Sequence, residues 1–161
     1  MDSKLLLQLY EKYSRELYLY FYSLCHNSSL AEDLLQETFL KAILSLSSSH
    51  KNMRAWLYMV GRNLYYDHIR REKKQVSLDE LEWEAQDNHE VIDQVLMNEQ
   101  KKELYHAMNQ LKGKQKEVLL LQYFGQLSQK QIASVLHITP ENVRVLSYRA
   151  KKELRKILGG G

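Results

Sequence analysis

The chain has 161 residues, with 23 Lys or Arg against 20 Asp or Glu, six glycines and one proline. This length allows one ordinary domain or two small ones, and the scarcity of glycine and proline favours an all-helical fold. No apolar run approaches the roughly 20 residues that span a bilayer and no secretory signal is visible, so we expect no direct membrane insertion.

The cysteine and histidine content argues against two further kinds of protein. Cys25 is the single cysteine and cannot form a disulfide within the chain, which predicts a reducing, cytoplasmic environment. The six histidines lack the spacing of metal ligands. Glycine-rich phosphate loops and nucleophile elbows are also missing from the sequence, so we expect no metal, no cofactor and no enzymatic activity.

Charge is segregated along the chain. Residues 76–100 hold eight acids and no base, whereas residues 1–75 hold eleven bases and eight acids (+3) and residues 101–161 hold twelve bases and four acids (+8). Two basic segments around an acidic one suggest two nucleic-acid-facing domains and a linker. Because the acidic segment also contains apolar residues such as Trp83, two interpretations stay open. It is either a solvated linker that enters a helix near Asp93, or a strip that mimics nucleic acid or docks on a basic partner.

Two amphipathic helices are predicted in the first 46 residues. The apolar stripe of the first helix has a period of about 3.6 residues and consists of Leu6, Leu9, Tyr10, Tyr13, Leu17, Tyr20, Phe21 and Leu24. The second helix is predicted to begin at a capping box of Ser29 and Glu32. Its inward residues are Ala31, Leu35, Phe39, Ala42 and Leu46, and its outward residues are Asp33, Gln36, Glu37 and Lys41. Leu34 is expected near the polar side, where an exposed leucine indicates a protein-contact surface.

A third helix is predicted to follow a serine-rich loop. Its core stripe consists of Met53, Trp56, Leu57, Val60, Leu64 and Ile69. Arg62, Tyr66 and Arg70 step along another face, with Asn63 and Tyr65 nearby. Cations interleaved with aromatic rings suit single-stranded DNA, because the cations track phosphates and the rings stack on bases. The alternative is that these tyrosines belong to the helical core.

The segment from Ser128 to Leu158 has the spacing of a DNA-binding helix-turn-helix. Ser128 and Gln131 form a capping box, His137 stands at the corner, and Thr139 caps a second helix that begins with Pro140. Val143, Leu146, Ala150, Leu154 and Ile157 repeat at helical spacing in that second helix. That helix contains only two acids, Glu141 and Glu153, but six basic residues, at positions 144, 149, 151, 152, 155 and 156. A merely solvated basic face is the alternative.

Three ordered blocks resemble bacterial RNA polymerase sigma factors: AEDLLQETFLKA, RAWLYMVGRNLYYDHIRREKK, and the stretch from LKGKQKEVLLLQYF to the helix-turn-helix. The short two-domain form is similar to the extracytoplasmic-function (ECF) group. The resemblance implies an all-α fold of two small helical domains joined by an acidic linker. Residues 1–75 would bind core polymerase and the −10 element, residues 76–94 would form the linker, and residues 95–158 would bind the −35 element through the helix-turn-helix.

The resemblance also implies partners and contact residues. The chain would bind the clamp of the largest subunit of the polymerase core, recognise promoter DNA to initiate transcription, and be held by an anti-sigma factor. The implied core-binding residues are Asp33, Leu34, Gln36 and Glu37. The implied −10 contacts are Ser48, His50, Lys51, Asn52, Arg62, Asn63, Tyr65, Tyr66, Arg70 and Arg71. The implied −35 contacts are Glu141, Asn142, Arg144, Val145, Tyr148, Arg149, Lys151, Lys152 and Arg155.

A second interpretation is a free-standing helix-turn-helix transcriptional regulator with an N-terminal sensing or dimerisation domain. It explains the C-terminal segment but neither AEDLLQETF nor the basic-aromatic helix. One position departs from the sigma-factor pattern within the turn, because His137 occupies a site where the family often has glycine. Histidine adopts the left-handed conformation less readily than glycine does.

Overall fold

The computed structural model describes residues 3–45, 52–76, 96 and 98–159. Everything regular within those ranges is helical, which confirms the predicted all-α fold. The chain forms two compact units. The N-terminal unit contains α1 (Ser3–Cys25), α2 (Ser28–Ser45) and α3 (Met53–Val76). The C-terminal unit contains α4 (Glu99–Met108), α5 (Gly113–Tyr123), α6 (Gln129–Leu136) and α7 (Pro140–Ile157).

The core of the N-terminal unit is built on aromatic rings. Phe21 is fully buried, and the rings of Tyr20 and Tyr58 meet edge-on with their centroids 5.2 Å apart. Gly61 on α3 allows this packing, because a Cβ atom there would come within 2.4 Å of the Phe21 ring. The absent side chain of Gly61 therefore lets α3 approach α1 closely.

A partly buried polar cluster ties the start of α3 to α1. Arg54 Nε lies 3.0 Å from Glu16 Oε1, and the buried Tyr58 hydroxyl donates to the same oxygen at 3.1 Å. The Arg54 guanidinium also lies 5.2 Å from the centroid of the Tyr13 ring. Burial raises the pKa of the Glu16 carboxyl, while Arg54 and the hydrogen bond from Tyr58 act in the opposite direction.

Two details of α2 differ from the sequence prediction. The helix begins at Ser28, one residue before the predicted cap, and the Asn27 side chain accepts a hydrogen bond from the Leu30 N–H at 3.1 Å. The expectation for Leu34 was wrong, since this residue is only 3% exposed. The physical reason is that α2 packs against both α1 and α3, so its buried face is wider than one stripe. The exposed leucines of α2 are Leu40 (55%) and Leu44 (77%).

The C-terminal unit is held by a leucine-rich core around α5. Leu119 and Leu121 are fully buried, and the ring of Tyr105 on α4 meets Phe124 edge-on at 5.6 Å. Asn98 caps α4 by accepting from the N–H groups of the second and third helical residues. The predicted acidic linker began at residue 76, but Val76 is the last residue of α3. Residues 77–94 of that linker, with the helical turn expected near Asp93, lie outside the described residues. In the part of the chain that is described, no helix has the length and apolar character needed to cross a bilayer.

Candidate nucleic-acid and protein interfaces

The predicted helix-turn-helix is formed by α6 and α7, and its caps are confirmed. Ser128 Oγ accepts from the Gln131 N–H at 3.2 Å, and Gln131 Oε1 accepts from the Ser128 N–H at 2.9 Å. His137 ends α6 in the left-handed conformation (φ 58°, ψ 44°). Thr139 Oγ1 then accepts from the Asn142 N–H at 3.1 Å, and Pro140 is the first residue of α7. The turn that the spacing predicted is therefore present, with histidine in the glycine-type conformation.

Side-chain contacts fix α7 in place against α5 and α6. The Gln129 amide donates to the Pro140 carbonyl at 2.8 Å, and the Ser147 hydroxyl donates to Gln122 Oε1 at 3.0 Å. Val143 and Ala150 are buried on the same side of the helix. These contacts determine the rotation of α7 about its own axis, and hence which of its residues point outward.

The predicted −35 residues lie on or beside one outer face of α7. Spacings of three and four residues align Glu141, Arg144, Val145, Tyr148, Lys152 and Arg155 along that face. Asn142 and Arg149 lie on one flank of it and the half-buried Lys151 on the other. Glu153 pairs with Lys156 at 3.4 Å beside the face, so this ion pair does not involve Arg144, Lys152 or Arg155 on the face itself.

A cleft of about 300 Å³ runs along the flank of α7 that carries Lys151. Its lining includes Gln122, Gln129, Arg144, Tyr148 and Lys151. Amide and cationic donors of this kind are the groups that contact phosphate and sugar oxygens. The cleft therefore extends the donor surface of α7 toward the first turn of α6.

The outward residues of α2 form a continuous stripe. Asp33, Gln36 and Glu37 are exposed as predicted, and they share a helix face with Leu40 and Leu44. Leu34 is buried and does not belong to that surface. Sequence reasoning missed the two exposed leucines, although their spacing of three and seven residues from Glu37 was the signal for them.

The predicted −10 residues of α3 fall into two environments. Arg62 stacks on the Tyr66 ring with its guanidinium carbon 4.5 Å from the centroid, and Asn63 is exposed beside them. Tyr65 differs, because it is only 9% exposed and its hydroxyl donates to the Leu24 carbonyl at 3.0 Å. Its ring belongs to the core of the N-terminal unit, so the inclusion of Tyr65 among the DNA contacts is corrected.

The C-terminal part of α3 carries an open, mostly basic groove. Its lining residues are Asp67, Arg70, Arg71 and Lys73. Arg70 pairs with Asp67 through their side chains, and Arg71 Nε lies 3.5 Å from the Asp67 carbonyl oxygen. Asn52 is exposed just before α3, whereas Ser48, His50 and Lys51 lie outside the described residues. Within the described ranges, no three His, Cys, Asp or Glu side chains converge to hold a metal ion.

Comparison with known families accounts for both units. Residues 9–75 match Sigma-70 region 2, and residues 101–154 match Sigma-70 region 4. The chain is 29% identical to the ECF RNA polymerase sigma factor SigM of Bacillus subtilis, over 96% of this chain and 95% of the relative. It is 31% identical to the RNA polymerase sigma factor YlaC of the same organism, over 92% of this chain and 88% of the relative. The region 2 match explains the N-terminal half, which the regulator interpretation left unexplained.

Solved structures show the same fold. The sigma factor RpoE in complex with the anti-sigma factor NepR, from Bartonella quintana, superposes with a TM-score of 0.71 at 21% identity, covering 94% of this chain and 95% of that one. CnrH in complex with the cytosolic domain of CnrY superposes with a TM-score of 0.66 at 20% identity, covering 99% and 90%.

Proposed function

Because the chain belongs to the ECF RNA polymerase sigma factors, and is therefore a promoter-specificity factor, we propose that three of its surfaces carry out separate parts of that function. The outer stripe of α2 binds the polymerase core, the basic-aromatic side of α3 acts on the −10 element, and the outer face of α7 reads the −35 element. One observation carries the proposal. The basic face of α7 stands outward on a fully capped helix-turn-helix, in a chain whose other unit matches region 2.

The proposed core-binding surface is the stripe of Asp33, Gln36, Glu37, Leu40 and Leu44. Exposed carboxylates on one helix face suit a basic partner, since complementary charge steers association and fixes orientation. Leu40 and Leu44 add exposed apolar area that the partner can bury. The proposed partner is the clamp of the largest polymerase subunit.

Reversal of charge tests that surface. Asp33→Lys with Glu37→Lys is expected to weaken core binding by at least about tenfold, because two attractive contacts become repulsive. Both positions are exposed, so the helical circular dichroism should not change. Pull-down and titration with core polymerase measure the effect. Lys41→Glu on the flank of the same helix is the matched control, with a smaller expected change, and normal core affinity in the double variant would remove the assignment.

The proposed −10 surface consists of Asn52, Arg62, Asn63, Tyr66, Arg70 and Arg71, and of Ser48, His50 and Lys51 by resemblance. The Arg62–Tyr66 stack places a cation and an aromatic ring side by side, which is the combination that single strands bind. The proposed −35 surface is the outer face of α7 with its flanks, as described above. Helix-turn-helix proteins insert this second helix into the major groove.

The domain limits, regulation and compartment are part of the same proposal. Residues 1–75 and 95–158 are the two functional domains, joined by the linker of residues 76–94. An anti-sigma factor is the proposed regulator, by analogy with RpoE of Bartonella quintana, which was solved with NepR. The proposed site of action is the cytoplasm, where the polymerase is found.

Run-off transcription on genomic fragments tests the function as a whole. Core polymerase with this chain is expected to initiate at discrete promoters that core alone ignores. The chain alone is expected to bind duplex DNA weakly. Tight duplex binding by the chain alone, together with no association with core, would instead establish the free-standing regulator.

A further inference from the structure

The outer face of α7 carries two apolar side chains among its charges. Val145 is 40% exposed and Tyr148 is 71% exposed, and they lie three residues apart on adjacent turns. Isolated exposed apolar residues are common on protein surfaces. These two are neighbours, however, and they occupy the middle of the face proposed to enter DNA.

We propose that Val145 and Tyr148 contact thymine methyl groups in the −35 element, so that α7 binds more tightly where a T·A pair stands at a contacted position. The inference rests on the proposed function, because it assumes that α7 enters the major groove there. In that groove thymine presents a methyl group beside its O4 acceptor, and apolar side chains are the groups that contact the methyl.

The chemistry of the two side chains favours a methyl over a phosphate. Valine has no hydrogen-bonding group in its side chain, and tyrosine presents an apolar ring with one polar tip. The cations beside them, Arg144 and Arg149, have the geometry to donate to guanine O6 and N7. Lys152 and Arg155, one to two turns further along, are suited to the phosphates.

The packing of α7 determines that these side chains point outward. The Ser147 hydroxyl is bonded to Gln122 at 3.0 Å, and Val143 and Ala150 are buried, so the helix cannot rotate without breaking these contacts. Val145 and Tyr148 are the sixth and ninth residues of α7. They therefore lie in the N-terminal half of the helix, the half that reaches base edges in helix-turn-helix proteins.

Uracil substitution tests the inference without changing the protein. Holoenzyme assembled from the full chain and core polymerase first selects −35 elements from promoter duplexes randomised at that element. The selected sequences are expected to contain a T·A pair. Each thymine is then replaced by uracil, which removes the methyl group alone. At a contacted position, binding is expected to weaken about fourfold, the value of one buried methyl.

Protein variants assign the contact to its residue. Val145→Ser or Tyr148→Ser is expected to abolish the difference between thymine and uracil at the position that residue contacts. Tyr148→Phe keeps the ring and is expected to keep the difference. Arg155→Gln is the matched control, because loss of a phosphate contact should weaken binding to both duplexes equally and leave their ratio unchanged.

Different results would overturn the methyl contact, its assignment to Val145 and Tyr148, or the −35 function of α7. The methyl contact is wrong if selection enriches no T·A pair, or if duplexes with uracil bind as tightly as those with thymine at every position. The proposed function stands in either case, provided that replacing the −35 element still abolishes binding. If the methyl effect survives in both serine variants, Val145 and Tyr148 are not the contacts. If replacing the whole −35 element has no effect on the wild-type holoenzyme, the −35 function of α7 itself fails.

Discussion

α3 and α7 both combine cations with tyrosine, but the two helices present these residues differently. In α3 several cations have partners within the chain, such as Arg54 with Glu16 and Arg70 with Asp67. Two of the tyrosines of α3 are also buried, since Tyr58 is 1% and Tyr65 is 9% exposed. The surface of α3 is thus partly neutralised and held in a fixed arrangement before any DNA binds.

Among the described residues, few acidic side chains pair with the basic side chains of α7. Glu153 and Lys156 form the ion pair of this helix in the described part of the chain. Tyr148 is largely exposed, in contrast to Tyr58. We therefore expect duplex affinity to reside mainly in α7, where the described basic side chains of the outer face can meet phosphates. In the proposed role in strand opening, α3 is expected to exchange some of its internal contacts for contacts with DNA.

Neutralising the basic end of α7 should have the largest effect. In Lys151→Gln with Lys152→Gln and Arg155→Gln, the slope of log affinity against log salt is expected to fall by about three units, since each phosphate contact contributes about 0.9. Salt titration of holoenzyme binding to a duplex promoter measures it. Lys156→Gln is the control, with a smaller expected change because Lys156 already pairs with Glu153. An unchanged slope in the triple variant would place the duplex on another face.

The α3 side of the comparison is tested by strand opening. Tyr66→Ala with Arg70→Ala is expected to slow open-complex formation by about tenfold, because base–aromatic stacking contributes about 1–3 kcal/mol per base. Core binding and −35 binding should be unchanged, and a pre-melted bubble template should restore activity. Permanganate footprinting reports the opening. The control is Tyr65→Phe, which alters a core tyrosine and should leave the rate of open-complex formation unchanged. If the Tyr66→Ala, Arg70→Ala variant opens the promoter as fast as the wild type does, the proposed role of α3 is wrong.

The internal ion pair of α3 can be removed directly. Asp67→Asn releases Arg70 and is expected to tighten binding of the single-stranded −10 element by up to about fivefold at low salt, since exposed pairs contribute roughly 0–1 kcal/mol. The gain should disappear at high salt, because screening weakens both the pair and the phosphate contact. Holoenzyme binding to a −10 oligonucleotide measures it. An unchanged affinity at low salt would show that Asp67 does not compete with DNA.

Removing a buried tyrosine hydroxyl from the N-terminal unit should have the smallest effect, and this effect is on the free energy of unfolding. Tyr58→Phe is expected to lower the free energy of unfolding by about 1–2 kcal/mol, because its hydroxyl donates to the carboxylate of Glu16. Tyr18→Phe is the matched control, since the buried Tyr18 hydroxyl has no hydrogen-bond partner among the residues that the structure describes, and its loss should be neutral or stabilising. Burial raises the pKa of Tyr18 to about 12, so its hydroxyl stays neutral near pH 7. Denaturant unfolding of the full chain compares them, and equal losses would contradict the distinction.

Local features of the chain were predictable from the sequence because their causes lie within a few residues. The capping box of Ser128 and Gln131, the Thr139 cap and the first-turn Pro140 all act over two or three positions. Apolar repeats of helical period identified most of the core of α1, α2 and α7 for the same reason. The outward placement of Asp33, Glu37 and the basic residues of α7 followed from those repeats.

Tertiary structure alone decided which side chains the helices cover when they pack together. The Glu16–Arg54 pair joins residues 38 positions apart, and the bond from Tyr65 to Leu24 joins residues 41 apart. No periodicity within one helix reports such contacts. Leu34 was misplaced because α2 meets two neighbours rather than one, which widens its buried face and moves the exposed leucines to Leu40 and Leu44. A period reveals that a helix has an inner face, whereas the width of that face depends on how many helices surround it.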